Sequence, residues 1–98
     1  MSYVFEGLEP ASVLKYFYEL SQIPRMPGDQ KRVSDWAAGI GRSLGYEPYQ
    51  DARQNVIIYK PASPGMEDAL PVAVQSHLDM VCEQEPGVTH DFSKDPLK

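Results

Sequence analysis

The sequence predicts a layered α/β domain in which two N-terminal helices pack on a mixed β-sheet. Three observations carry that prediction. Apolar residues recur at three- and four-residue steps up to Leu44, the pattern changes to β-branched runs after Gly45, and a last run at 71–77 is apolar on both faces.

The first helix starts at Pro10, whose missing N–H is harmless in a first helical turn. Val13, Leu14, Phe17, Leu20 and Ile23 give it one amphipathic face. Pro24 and Pro27 bias the residues before them away from helix, so it ends near Gln22 and Ile23–Gly28 becomes a loop. Asp29 is read as the N-cap of a second helix, in which Val33, Trp36, Ala37, Ile40 and Leu44 form a continuous stripe. Gly45 stands where a helix C-terminus needs a left-handed residue.

Residues 46–50 read as a short strand, and Pro48, which has no N–H to donate, places it at an edge. Asp51–Gln54 supply the turn, and the β-branched run at Asn55–Lys60 returns antiparallel to complete a hairpin. After the turn-forming loop Pro61–Gly65, Pro71–His77 is expected as a third strand, buried in the middle of the sheet. Glu83–Gly87 is a polar turn, and the tail to Lys98 is irregular. The sequence stops at Asp91–Lys98 without a closing element, which predicts a truncated domain occupying residues 1–98.

Composition narrows the function classes. Nine basic against fourteen acidic residues give a net charge of −5, which argues against nucleic acid and anionic membranes as partners. No apolar run approaches the roughly 20 residues that span a bilayer, and the first residues lack the regions of a signal peptide, so a cytoplasmic location is expected. A single cysteine, Cys82, excludes an internal disulfide and any multi-cysteine zinc site. Phosphate loops, a Walker lysine and a serine-centred elbow are absent.

The most suggestive chemistry is His77-Leu78-Asp79, at the carboxyl end of the expected buried strand, where open α/β sheets place their ligands. In extended backbone the two side chains share a face, with Cα atoms about 6.5 Å apart at roughly 3.3 Å per residue. A carboxylate there can hold one ring nitrogen of His77 and leave the other for a metal ion. The same pair also reads as a structural histidine satisfied by Asp79, because one histidine cannot hold a metal that wants four donors. Cys82 with His90 invites a nucleophile–base reading, but nothing local lowers the thiol pKa, so a buried, inert cysteine is expected. His90-Asp91 either contacts a substrate or caps a turn, and the turn is the expectation.

Taken together, Val74-Gln75-Ser76-His77-Leu78-Asp79-Met80-Val81-Cys82-Glu83 and His90-Asp91-Phe92-Ser93-Lys94-Asp95-Pro96-Leu97 resemble the N-terminal part of the aminoacyl-histidine dipeptidases. These are also called cytosolic non-specific or β-alanyl-histidine dipeptidases. The likeness extends back through Asn55–Ala62, Ile23-Pro24-Arg25 and Leu8-Glu9-Pro10.

The resemblance implies the first part of a zinc-peptidase catalytic domain, three-layer α/β/α when complete. It implies two zinc ions in the whole enzyme, with manganese or cobalt as substitutes, and His77 as the first metal ligand. Asp79 would be the catalytic-site acid that orients it. The family's nucleophile is a water between the two metals, and the substrates are Xaa-His and other dipeptides. The bridging aspartate, the Glu-Glu pair and the later ligands of the family are not among these 98 residues. The chain alone is therefore expected to bind metal weakly or not at all and to be inactive. Surfaces exposed by truncation would favour a homodimer. Two other readings stay open: a small non-catalytic binding or interaction module, and a different dizinc amidohydrolase such as an N-acyl-amino-acid deacylase.

Overall fold

The computed structural model describes residues 3–97, which divide into two compact units. One joins the chain up to Val33 with the chain from Asp79 onward, and the other is Ser34–Leu78.

In the first unit, helix α1 covers Ala11–Ser21. Pro10 sits at its N-cap in extended geometry, one residue before the first helical position. Its carbonyl accepts the first helical bond from Leu14 at 3.2 Å. A proline carries no side-chain acceptor, and the Glu9 carboxylate instead accepts the Ala11 N–H at 3.0 Å. The expected stripe is only partly covered: Leu14, Leu20 and Ile23 are half-buried, while Val13 and Phe17 are exposed. An edge-to-face aromatic cluster covers the start of the chain, with Tyr3 against Tyr18 at 5.1 Å and Phe5 against Phe17 at 6.0 Å. The end of the chain returns to α1, where the Leu97 N–H donates to the Ser21 carbonyl at 3.0 Å.

Helix α2, Lys31–Ser43, runs from the first unit into the second. Asp29 lies two residues before it and is not its N-cap; its carboxylate pairs with Arg32 at 2.7 Å. Arg32 also donates to the Ser93 carbonyl at 2.9 Å. At the other end the expectation holds. Gly45 has φ +88°, its N–H donates to Arg42 O at 3.0 Å, and the Tyr46 N–H donates to Gly41 O at 2.9 Å. Those two bonds make a Schellman cap.

The second unit packs α2 on a hairpin. Strands β1, Pro48–Gln50, and β2, Val56–Ile58, pair antiparallel with Pro48 opposite Ile58 and Gln50 opposite Val56. Ser34, Ala38 and Gly41 are buried on the helix, and Ile58 lies so close to Gly41 that a Cβ there would meet its Cδ1 at 3.0 Å. Gln50 crosses from β1 to the helix, its amide donating to Ser34 Oγ at 2.7 Å and to Asp35 Oδ1 at 2.9 Å. The Asp51 carboxylate accepts the Arg53 and Asn55 N–H groups, each at 2.9 Å, and so shapes the hairpin turn.

The third strand does not form. Residues 71–77 are exposed throughout, Val72 at 87% and Val74 at 97%, and no strand is assigned to them. A run apolar on both faces becomes a central strand only with a strand on each edge and a layer on each side. Among the described residues the short hairpin strands pair with each other alone. The sheet of this chain is therefore two-stranded and antiparallel, not mixed, within an architecture that remains part of an α/β domain.

Candidate active site

The two residues of the expected site belong to different units. His77, exposed, belongs to Ser34–Leu78, and Asp79, half-buried, begins the returning chain. Burial changes at Leu78: everything from 61 to 77 is exposed, whereas Leu78, Asp79 and Met80 are half-buried.

The anchor of this returning segment is Met80. Its N–H donates to the Arg25 carbonyl at 2.9 Å, and the Arg25 guanidinium donates from Nη2 to Met80 Sδ at 3.7 Å. Cys82 then directs its thiol to the Met80 carbonyl at 3.5 Å. These contacts stand against the nucleophile–base reading of Cys82 and His90. The His90 ring is instead tilted on Phe92, centroids 4.6 Å apart, and no hydrogen bond joins it to Cys82 among the described residues. Cys82 is half-buried, less enclosed than expected.

His90-Asp91 serves a turn, as expected. Asp91 Oδ1 accepts the Ser93 N–H at 2.9 Å and the Ser93 hydroxyl at 2.6 Å, and the Asp91 N–H donates to Asp95 Oδ2 at 2.9 Å. The hydrogen bonds from Ser93 hold the Asp91 carboxyl below the usual carboxylate range.

Among the described residues, no three His, Cys, Asp or Glu side chains gather as a metal site. His77 and Asp79 offer at most two of the four donors that zinc takes, so by themselves they do not fit a zinc ion. No helix among the described residues is long and apolar enough to cross a membrane.

Sequence reasoning overlooked Arg25 and Met80 as partners. Their separation of 55 residues hides the contact from any local pattern, although Met80 lies in a stretch that carries the family resemblance and Arg25 in one to which it extends. It overlooked Gln50 as well, since a glutamine in a three-residue strand gives no sign of reaching a buried serine on a helix.

Comparison with known proteins adds identity to this geometry. No family model matches the chain. The cytosol non-specific dipeptidase of Escherichia coli (strain K12) is 33% identical over 91 residues, which are 93% of this chain and 19% of that protein. The crystal structure of aminoacylhistidine dipeptidase from Vibrio alginolyticus superposes with a TM-score of 0.87 at 31% identity, over 96% of this chain and 19% of the other. The chain thus spans about a fifth of the length of each relative. In sequence and in fold, it is similar to a part of the aminoacylhistidine, or cytosol non-specific, dipeptidases.

Proposed function

We propose that this chain is the opening part of a metal-dependent cytosolic dipeptidase that hydrolyses Xaa-His and other dipeptides. One observation carries the reading: identity above 30% with two dipeptidases over nearly the whole chain, accompanied by a TM-score of 0.87. A likeness of that extent favours it over a stand-alone binding module or an N-acyl-amino-acid deacylase.

In this reading His77 contributes one imidazole to the metal centre of the complete enzyme, and Asp79 sets the tautomer of that ring. Two donors do not make a zinc site. The remaining ligands and the base come from parts of the parent outside these 98 residues, and the chain alone does not turn substrate over. No chemical step is therefore assigned to this chain beyond ligation and its orientation.

The test is His77→Ala and Asp79→Asn in the full-length parent, with bound metal counted by mass spectrometry beside dipeptide hydrolysis. His77→Ala is expected to lose metal and at least about 100-fold in activity. Asp79→Asn is expected to lose about 10- to 100-fold, the range for a partner that orients a ligand. Full metal content with parental turnover in His77→Ala would overturn the ligand role.

A further inference from the structure

We infer that Arg25 is a positioning residue, whose clasp on Met80 fixes the backbone that carries Asp79; the inference rests on the dipeptidase reading above. The Met80 N–H that donates to the Arg25 carbonyl at 2.9 Å lies in the same peptide plane as the Asp79 Cα and carbonyl. Holding that N–H therefore fixes the plane from which the Asp79 side chain departs. Only two torsions separate that backbone from the carboxylate, so the placement of the plane governs the placement of the oxygens.

The loop that does the holding is itself held. The Ile23 N–H donates to Leu20 O at 3.1 Å at the end of α1, the Asp29 N–H donates to Met26 O at 2.9 Å, and Pro24 restricts its own φ between them. Residues 23–26 are all half-buried, unlike the exposed stretch that leads to His77. The guanidinium adds a second, side-chain hold through Nη2 and Met80 Sδ at 3.7 Å. Arg25 thus grips both the main chain and the side chain of the residue next to Asp79. A carboxylate that must meet an imidazole within hydrogen-bond reach is sensitive to displacements well below 1 Å.

The experiment has two arms. In the full-length parent, Arg25→Met and Met80→Leu each remove the guanidinium–sulfur contact at nearly constant volume, and Arg25→Lys keeps a cationic donor. Arg25→Met and Met80→Leu are expected to lower kcat about fivefold with KM unchanged, the factor that one net hydrogen bond is worth. The double variant should fall no further than either single one, and Arg25→Lys should recover most of the loss. In the 98-residue chain, Arg25→Met should speed hydrogen exchange at the Met80 amide by a similar factor, while the Gly45 amide at the α2 cap keeps its rate. A parent that turns over dipeptides while Arg25→Met and Met80→Leu keep kcat within twofold would overturn the positioning role alone. So would losses that multiply in the double variant. A wild-type parent with no dipeptide turnover would overturn the reading beneath it, and the exchange arm would still report whether the clasp holds.

Discussion

Two glycines of α2, two positions apart, should respond oppositely to the same substitution. Gly39 is exposed, and a Cβ built there meets nothing within 4 Å. Gly39→Ala then gains only helix propensity, about 0.8–1.0 kcal/mol. Gly41 is buried, and a Cβ there would lie 3.0 Å from Ile58 Cδ1, 3.1 Å from Cγ1 and 3.4 Å from Cγ2. The same propensity gain is opposed by overpacking, which costs about 1–3 kcal/mol. Ile58 is 39% exposed and can swing towards solvent, which eases the clash but surrenders part of the roughly 1.5–3 kcal/mol that a buried isoleucine contributes. The expected net for Gly41→Ala therefore runs from about zero to about 2 kcal/mol destabilising. Urea unfolding of the chain, followed by Trp36 fluorescence and far-ultraviolet circular dichroism, gives both values. Adding Ile58→Val to Gly41→Ala removes the methyl nearest the new Cβ and should recover part of the loss. Gly41→Ala stabilising the chain as much as Gly39→Ala would refute the packing of α2 on β2.

Two further outcomes follow from local geometry. Gly45→Ala forces a side chain into φ +88° at the Schellman cap and should cost about 1–2 kcal/mol in the same urea experiment; a cost near zero would contradict the cap. Asp51 titrates below its ordinary value, chiefly because the Asn55 side chain hydrogen-bonds its carboxylate. A depressed folded pKa adds stability that is present above the unfolded value of about 4 and is lost as pH falls through the folded one. Asn55→Ala should therefore flatten the fall of the melting temperature below about pH 4, and an unchanged slope there would contradict the assignment.

The elements that depend on near neighbours in sequence were readable from it. The glycine after α2 and the hairpin around Asp51 each rest on contacts within a few residues, so turn chemistry suffices. The α2 stripe is covered only in part: Val33 is buried, Trp36, Ala37 and Ile40 are half-buried, and Leu44 is exposed beyond the end of the helix. The start of α2 lies two residues beyond Asp29, whose carboxylate pairs with Arg32; the apolar period locates the helix but not its first residue. The run at 71–77 was misread for a different reason. Its β-branched, two-faced character reports the surroundings the segment is built for, whereas a strand exists only where other backbone pairs with it. At the candidate site, residue types and family pattern singled out His77 and Asp79, but the clasp between Arg25 and Met80 spans 55 residues and has no local signature.

The most direct test of the central claim is a comparison of two substrates on the full-length parent: a dipeptide ending in histidine, and an N-acetylated amino acid of the same size. A dipeptidase is expected to release free histidine from the first, at a rate that falls when metal is chelated and returns when zinc is restored, and to leave the second intact. Turnover of the acetylated amino acid with the dipeptide untouched would contradict the account.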